Sequence, residues 1–304
     1  MYNINLGKSE LSVPTIAVGC MRIANMGEKQ VTEFVDTALE NGANFFDHAD
    51  IYGGGMSETV FGKAIKNYDR EKIIIQTKCG IVPGKMFDFS YEHIINSVNG
   101  SLKRLDTDYI DVLLLHRPDA LVEPQEVAKA FNELKESGKV RNFGVSNQNP
   151  YQMELLQNYL DMPLCANQLQ LSIMHATMIQ SGINVNMYND SAINRDGGVL
   201  DYCRLKNITI QPWSPMQHGF FKGCFVDNEQ FPELNAVLEK LANKYGVSKT
   251  TIAIAWLLRH PAKMQPITGT TNPQRLKDSF KATEISLTRE EWYEIYKSAG
   301  NILP

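Results

Sequence analysis

Four side chains that could take part in proton transfer stand near the ends of apolar runs in this sequence. Asp47 ends a short apolar run, and Tyr52 follows after a short loop that continues into Gly53-Gly54-Gly55. Lys78 and His116 each end a further apolar run. A carboxylate and a phenol at the tip of a hydrophobic strand are costly to bury unless they have partners. The elements that carry these residues must therefore bring them together.

Short apolar runs alternate with amphipathic segments along almost the whole chain, which is typical of a β/α fold. No linker rich in proline, serine or charge divides the chain. The pattern predicts one (β/α)8 TIM barrel domain over residues 1–304, with an N-terminal β-hairpin over 3–13 and extra C-terminal helices. A doubly wound sheet is the alternative, but its usual G-x-G-x-x-G after the first strand is absent. The predicted barrel strands are 15–19, 44–47, 72–78, 109–116, 140–146, 164–168, 209–213 and 264–268.

Helix boundaries are indicated by capping residues. Ser57 is expected to cap the helix after the second strand and Ser90 the helix after the third, and Pro124 is a good first residue for the next helix. Residues 171–197 lack clear periodicity. A connection of this length inside a compact domain is usually a binding loop.

The barrel arrangement would bring the four polar residues to one site, because barrel active sites lie at the C-terminal ends of the strands. Asp47 and Lys78 end neighbouring predicted strands, so an ion pair would allow both to be buried. Lys78 beside the Tyr52 hydroxyl would lower the pKa of the phenol and make it a better proton donor near neutral pH. His116 could hydrogen-bond a substrate oxygen. Such a set would protonate a carbonyl oxygen while a hydride is delivered to the carbon.

The composition argues against several other classes of protein. With 43% hydrophobic and 21% charged residues, the chain is typical of a globular protein with a large core. A net charge of −4 gives no basic surface for nucleic acid or an anionic membrane. The N-terminus lacks the features of a secretory signal, and no apolar run is long enough to span a bilayer. We expect a cytoplasmic protein, a monomer or weak homo-oligomer, that acts on a small molecule.

The cysteines and histidines do not indicate a disulfide framework or a metal site. The five cysteines are widely spaced without a C-x-x-C pair, and the histidines include no H-E-x-x-H. We expect no bound metal and a reducing compartment. Cys20 is interpreted as a packing residue, because a reactive thiol would need an electropositive setting.

Several motifs occur together in an order that resembles the aldo-keto reductase family. They are Asp47-His-Ala-Asp-Ile-Tyr52-Gly, Gln76-Thr-Lys78, Leu114-Leu-His116-Arg-Pro118 and Asn142-Phe-Gly-Val-Ser-Asn147. The likeness covers nearly the whole chain, from the N-terminal hairpin through Arg275. Gly19-Cys-Met-Arg22 and Trp213-Ser-Pro-Met216 look most similar to the bacterial branch that includes the YdhF oxidoreductases. The resemblance implies a barrel enzyme that reduces aldehydes or ketones with a nicotinamide cofactor.

The resemblance also assigns roles. Tyr52 would be the general acid, Asp47 and Lys78 would tune it, and His116 would orient the substrate carbonyl. The nicotinamide carboxamide would be held after the fifth and sixth strands, an aromatic ring after the seventh would stack on the nicotinamide, and the loop that follows would line the pyrophosphate path. These cofactor-binding residues are, in the same order, Ser146, Asn147 and Gln168; Trp213; and Ser214, Met216 and His218.

The segment Gly269-Thr-Thr-Asn-Pro-Gln-Arg275 governs the choice of cofactor. Family members often have a Lys-Ser pair followed by an Arg here, whereas this chain has Gly269 and Thr270 in place of the pair and retains Arg275. Arg275 could bind an adenosine 2′-phosphate in bidentate fashion, and Thr270 and Thr271 add hydroxyl donors beside a helix N-terminus. We therefore expect NADPH, with NADH as the alternative. The adenine would be contacted by Asp278 and Ser279.

Two other functions remain compatible with the sequence. The same fold is used by channel-associated regulatory proteins, so the chain could be a nucleotide-sensing subunit. A barrel enzyme that acts on phosphorylated metabolites has less support. The substrate stays open because the loops over residues 21–26, 79–89, 171–197 and 216–230 would shape the pocket. An apolar lining is suggested by Phe87, Phe89, Met174, Phe220 and Phe221.

Overall fold

The computed structural model describes residues 1–304, in which eight parallel strands form a barrel surrounded by helices. Two further pairs of short strands are antiparallel. The strands in chain order are β1 (Asn3–Asn5), β2 (Ser12–Pro14), β3 (Ala17–Gly19), β4 (Phe45–Asp47), β5 (Ile74–Cys79), β6 (Ile81–Val82), β7 (Met86–Phe87), β8 (Ile110–Leu115), β9 (Val140–Ser146), β10 (Leu164–Gln170), β11 (Thr209–Trp213) and β12 (Ile267–Thr268).

Eleven α-helices connect and cover the strands. They are α1 (Glu28–Glu40), α2 (Met56–Ile65), α3 (Tyr91–Leu105), α4 (Pro124–Glu136), α5 (Pro150–Gln157), α6 (Thr177–Ile183), α7 (Val199–Lys206), α8 (Pro232–Tyr245), α9 (Lys249–Leu258), α10 (Pro273–Lys281) and α11 (Arg289–Ser298). Short 3₁₀ helices lie at Ile23–Asn25, Tyr52–Gly55, Arg70–Lys72, Asp190–Ala192 and Ala282–Glu284.

The barrel strands neighbour one another in the order β12, β3, β4, β5, β8, β9, β10 and β11, and each pair is parallel. The two ends of this series meet where the Gln265 N–H, just before β12, donates to the Ile210 carbonyl of β11 at 3.0 Å. The barrel is therefore nearly closed. The predicted (β/α)8 fold is confirmed, and the doubly wound sheet is excluded.

Most of the predicted helix starts are present, but one is wrong. Ser90 caps α3 by accepting from the His93 N–H at 3.3 Å, and Pro124 is the first residue of α4. Ser57 does not cap α2, because the helix already begins at Met56. The buried Ser57 hydroxyl instead donates to the Cys20 carbonyl at 2.6 Å, which ties α2 to the loop after β3.

The barrel interior has an apolar lower part and a polar upper part. The hairpin β1–β2 supplies the buried Leu6 and Val13, which pack in one cluster with inward-facing residues such as Phe45 and Val112. The side chains two positions further along the strands point to the same side and are polar near the C-terminal ends. On β4, for example, Phe45 is followed on this face by Asp47. The strands thus carry polar side chains at the end where a site is expected.

The connection over residues 171–197 is more ordered than its sequence pattern indicated. It contains α6 and the 3₁₀ helix Asp190–Ala192. Asn189 caps this 3₁₀ helix by accepting from the Ala192 N–H at 3.0 Å. No helix in the chain combines the length and the apolar character needed to cross a bilayer.

Candidate active site

A cleft of about 940 Å³ opens at the C-terminal ends of the barrel strands. Asp47 ends β4, His116 directly follows β8, and Tyr52 begins the 3₁₀ helix Tyr52–Gly55; all three line the cleft. Lys78 on β5 is fully buried against Asp47 and Tyr52. The structure therefore brings together the four side chains singled out in the sequence.

Each N–H of the Lys78 ammonium has an acceptor. Its Nζ donates to Asp47 Oδ2 at 2.9 Å, to the His48 carbonyl at 2.6 Å and to the Tyr52 hydroxyl oxygen at 3.1 Å. Burial alone would lower the pKa of Lys78, but the Asp47 charge and the Tyr52 oxygen outweigh it, so the pKa of Lys78 is raised. Lys78 is therefore charged at neutral pH, and the predicted ion pair with Asp47 is present.

Lys78 lowers the pKa of Tyr52, as expected, but the net shift of this pKa is upward, so the expectation of a lowered pKa is wrong. Burial raises the pKa of Tyr52 by more than the Lys78 charge lowers it, and the Asp47 charge adds to the increase. The sequence indicates which charges are near the phenol but not how far it is removed from water. Tyr52 is consequently a protonated phenol at neutral pH, with Lys78 Nζ positioned to stabilise the phenolate once the proton has left.

His116 is a neutral imidazole beside the phenol. Its ring meets the Tyr52 ring edge to face, with centroids 6.0 Å apart. Burial, followed by the charges of Lys78 and Arg117, holds the pKa of His116 well below its usual range. The Nδ1 atom of His116 is buried and has no hydrogen-bond partner in the chain. Neutral His116 carries one N–H, which it could donate to an oxygen of a bound molecule.

A series of buried glutamine side chains connects Asp47 to the lower end of the barrel. Asp47 Oδ1 accepts from Gln76 Nε2 at 2.6 Å. Gln76 and Gln211 exchange two hydrogen bonds of 2.9 and 3.0 Å, and Gln211 Nε2 also donates to Gln265 Oε1 at 2.9 Å. Gln265 Nε2 donates to the Pro14 carbonyl at 2.7 Å. This series fixes one oxygen of Asp47 while Lys78 occupies the other.

Four residues expected at the nicotinamide all line the cleft, namely Ser146, Asn147, Gln168 and Trp213. These residues also form hydrogen bonds with one another. Asn147 Oδ1 accepts from Trp213 Nε1 at 3.1 Å, and Asn147 Nδ2 donates to Ser146 Oγ at 2.7 Å. Gln168 Nε2 donates to Asp47 Oδ1 at 3.1 Å. The Oε1 atom of Gln168 accepts no hydrogen bond from the chain. Their contact with a carboxamide stays a prediction.

The loop after β11 brings only part of the expected pyrophosphate path into the cleft. Ser214, which has a left-handed backbone with φ +52°, and Met216 line the cleft. His218 does not. Its backbone N–H donates to the Gly223 carbonyl at 3.1 Å, and its ring packs 5.0 Å from the Phe231 ring. The loop folds back on itself after Met216, so the expectation for His218 is not supported.

The cleft extends to the N-terminus of α10, where four of the expected residues line it: Thr270, Thr271, Arg275 and Ser279. The Arg275 guanidinium forms no ion pair in the chain. Asp278 was expected at the adenine but lies outside the cleft. Its carboxylate is turned to Gln274, whose Nε2 donates to Asp278 Oδ1 at 3.0 Å.

Two arginines that line the cleft were not singled out in the sequence. Arg22 Nη1 donates to the Gly269 carbonyl at 2.9 Å, and a Cβ atom on Gly269 would lie 2.9 Å from the same nitrogen. A guanidinium thus stands where a side chain of residue 269 would begin. Arg117 lies over the Trp213 ring. Both arginines belong to motifs quoted for the family resemblance, Gly19-Cys-Met-Arg22 and Leu114-Leu-His116-Arg-Pro118, but the resemblance assigned neither of them a role.

The glutamine series had a clearer signal. Gln76 and Lys78 are two positions apart on β5 and so share its inward face. Gln168 and Gln211 are register partners on β10 and β11. A period of two therefore marks these residues as interior, but only the barrel shows which amide meets which.

The apolar lining is partly as expected. Phe220 and Phe221 line the cleft, and their ring centroids lie 6.1 and 6.3 Å from that of Trp213. Phe87 is exposed outside the cleft, and Phe89 is buried beside Gly80, where a Cβ atom would lie 2.3 Å from the Phe89 ring. Met174, which was also expected in the lining, lies outside the cleft as well.

The family is established by comparison with known proteins. The sequence profile of the Aldo/keto reductase family matches residues 15–299, and the chain belongs to this family. It is 35% identical to a 6-dehydroglucose reductase of Agrobacterium fabrum over 95% of each chain. It is 34% identical to the oxidoreductase YdhF of Escherichia coli, over 90% of this chain and 89% of that protein.

A solved structure of the family has the same fold. The thermostable aldo-keto reductase Tm1743 superimposes with a TM-score of 0.79 at 27% identity, covering 98% of this chain and 100% of that chain. The resemblance to aldo-keto reductases, and to the branch that includes YdhF, is thus confirmed. The chain is a member of an oxidoreductase family with a (β/α)8 barrel.

Proposed function

We propose that this protein reduces aldehydes or ketones to alcohols by hydride transfer from NADPH, with Tyr52 as the general acid. The observation that carries the proposal is the buried group of Lys78, Asp47 and Tyr52, with neutral His116 beside the phenol. NADPH would supply the hydride to the carbonyl carbon. The chain would supply the proton and hold the carbonyl.

Tyr52 and His116 perform different tasks in this proposal. A carbonyl oxygen between them would accept a hydrogen bond from each. As negative charge develops on that oxygen, Tyr52 gives up its proton, and the Lys78 ammonium 3.1 Å away stabilises the phenolate that remains. Asp47 balances the charge of Lys78 and fixes its position. His116 orients the carbonyl without changing its own charge.

The cofactor proposal depends on how well the cleft fits a nicotinamide dinucleotide that carries a 2′-phosphate. The unpaired Arg275 at the start of α10 fits such a phosphate, as do the hydroxyl groups of Thr270 and Thr271 and the helix N-terminus itself. The partly exposed ring of Trp213, which lines the cleft, fits a stacked nicotinamide. The remaining proposed contacts are Ser146, Asn147, Gln168, Ser214, Met216 and Ser279.

The choice of NADPH over NADH can be tested at Arg275. Replacing Arg275 with Met should weaken NADPH binding by about tenfold to a hundredfold, because a charge-assisted contact to the phosphate is lost. NADH binding should stay within about twofold. The affinities are measured by isothermal titration calorimetry. Lys277→Met, an exposed cation on the same helix outside the cleft, is the matched control. Equal weakening of both cofactors would contradict the role of Arg275.

Turnover can be tested with carbonyl compounds chosen from the names of relatives. Two relatives are named 6-dehydroglucose reductases, and a third is named a putative aryl-alcohol dehydrogenase. We expect NADPH consumption with at least one member of a panel that contains 6-dehydroglucose, aryl aldehydes, simple ketones and quinones. Binding of NADPH with only a single slow oxidation on every compound would instead favour a nucleotide-sensing subunit.

A further inference from the structure

The cleft contains a guanidinium group that has no partner within the chain. Arg117 directly follows His116, lines the same cleft and is only partly exposed. It forms no ion pair. Asp119, the nearest acid in the sequence, is engaged elsewhere, since its two oxygens accept from the Phe89 and Leu121 N–H groups at 2.9 and 2.8 Å. A partly buried cation without a counter-charge is costly, and a ligand could provide that charge.

Two aromatic rings hold the Arg117 side chain in place. Its guanidinium carbon lies 5.7 Å from the centroid of the Trp213 ring and 5.9 Å from that of Phe220. Contact with ring faces is favourable for a guanidinium and leaves its N–H groups free, because they lie in the guanidinium plane. Arg117 is therefore fixed in direction while its hydrogen-bonding capacity is unused.

The charges around the cleft make it a site for anions. Two carboxylates line it, and both are neutralised: Asp47 by Lys78, and Asp227 by Lys249. His116 is neutral, as shown above. The charged side chains that remain in the lining are all cations, namely Arg22, Arg117 and Arg275.

These three cations have different positions and partners. Arg275 stands at the start of α10, at the site proposed for the cofactor phosphate, and Arg22 donates to the Gly269 carbonyl beside it. Arg117 is instead next in sequence to the residue proposed to orient the carbonyl. Burial lowers the pKa of Arg117. The guanidinium lines the same cleft as Tyr52, the proposed acid.

We infer that Arg117 is a specificity residue that binds a carboxylate on the substrate, so that the preferred substrates are carbonyl compounds with a carboxylate close to the carbonyl. The planar fork of a guanidinium matches a carboxylate with two parallel N–H···O bonds. The inference rests on the proposed carbonyl reduction and names the class of substrate for the same site.

The test compares carboxylate substrates with their uncharged methyl esters. 4-Carboxybenzaldehyde and its methyl ester have the same reacting aldehyde, and so do succinic semialdehyde and its methyl ester. The wild-type protein should prefer each acid in kcat/KM. Arg117→Met should lower kcat/KM for the acids by about tenfold to a hundredfold, mainly through KM, and change it by no more than about twofold for the esters. Arg117→Lys keeps the positive charge but not the planar fork, so its kcat/KM for the acids should lie between those of the wild-type protein and Arg117→Met.

The results distinguish a carboxylate-binding role of Arg117 from a purely structural one. If Arg117→Met lowers the activity on acids and esters alike, the side chain only packs between Trp213 and Phe220, and the inference is overturned. The same holds if the wild-type protein does not prefer the acids. If the wild-type protein reduces no carbonyl compound at all, the proposed function fails, and the carboxylate site is then judged by binding. Benzoate, but not benzamide, should raise the melting temperature of the wild-type protein with NADP⁺, and Arg117→Met should abolish this shift. An unchanged shift would refute the site.

Discussion

Lys78 forms hydrogen bonds both to Tyr52, the proposed acid, and to Asp47, which balances the charge of Lys78. Its ammonium has three N–H groups and three acceptors, so no donor is left unsatisfied in a fully buried position. The planar guanidinium of an arginine would suit this compact arrangement poorly. The sequence identified Lys78, Asp47 and Tyr52 because each ends or follows an apolar run. It misjudged the direction of the Tyr52 pKa shift, because that direction depends on burial, which only the packed barrel determines.

Asp50, close to Tyr52 in the chain, should make the stability of the protein depend on pH. Burial and the Glu58 charge raise the pKa of Asp50 from 3.8 to about 7, against the opposing charge of Arg104. The folded protein therefore holds this proton more tightly than the unfolded chain. The resulting stabilisation is fully present below pH 3.8 and is lost as the pH rises through about 7.

Asp50→Asn should remove this contribution. Urea unfolding midpoints measured between about pH 4 and pH 8 should show the wild-type protein losing stability relative to the variant as the pH rises. Curves that stay parallel across this range would show that Asp50 does not hold a proton in the folded protein.

Among the elements, the 3₁₀ helix Tyr52–Gly55 does most to position the acid. Gly53 and Gly54 have left-handed backbones with φ +58° and +65°. Their surroundings differ, however. A Cβ atom on Gly53 would lie 2.4 Å from the Cβ atom of Ala24, whereas a Cβ atom on Gly54 would meet nothing within 4 Å. The turn at Gly53 therefore lets the helix that carries Tyr52 pack closely on the 3₁₀ helix Ile23–Asn25.

This difference provides a matched pair of variants. Gly53→Ala and Gly54→Ala both introduce backbone strain of about 1–2 kcal/mol, so a comparison of the two isolates the contact with Ala24. Gly53→Ala should shift Tyr52 and lower kcat by about tenfold or more, since small displacements of a reacting group are costly. Gly54→Ala should retain most of the activity. Equal rates for the two variants would mean that the close approach at Gly53 does not position the phenol.

The element boundaries show where sequence patterns stop being informative. Ser90 and Pro124 mark helix starts correctly because capping depends on neighbouring residues alone. The prediction that Ser57 caps α2 was wrong because the Ser57 hydroxyl donates to the carbonyl of Cys20, a residue that is distant in the sequence. The helix α6 within residues 171–197 was missed for a related reason. Its buried residues Met178 and Ile179 do not repeat at helical spacing over several turns.

In the whole molecule, the N-terminal hairpin and the candidate active site lie at opposite ends of the barrel. The hairpin β1–β2 packs its apolar side chains into the lower end, while the cleft opens at the upper end. The alternation of strands and helices predicted this architecture, because each barrel unit repeats the same apolar pattern. The identity of the substrate could not be predicted, because it depends on loop residues such as Phe220 and on the pairing state of Arg117, neither of which follows a periodic pattern.

A substitution in the hairpin should therefore change stability without changing the proposed chemistry. Leu6 is fully buried, and Leu6→Ala should lower the free energy of unfolding by about 2–5 kcal/mol through the cavity that it leaves. At a temperature where the variant is folded, its kcat/KM should match that of the wild-type protein. Leu121→Ala, at a side chain that is 87% exposed, is the control and should change stability by less than about 0.5 kcal/mol. A large loss of kcat/KM in folded Leu6→Ala would show that the two ends are coupled.

The central claim, that Tyr52 donates the proton, is tested most directly by Tyr52→Phe. This change removes one oxygen and keeps the ring. Turnover of the best carbonyl substrate should fall by at least about a hundredfold, in line with the loss of a general acid, while the dissociation constant for NADPH stays within about twofold of the wild-type value. If Tyr52→Phe reduces that substrate at the wild-type rate, Tyr52 is not the acid and the proposed mechanism is wrong.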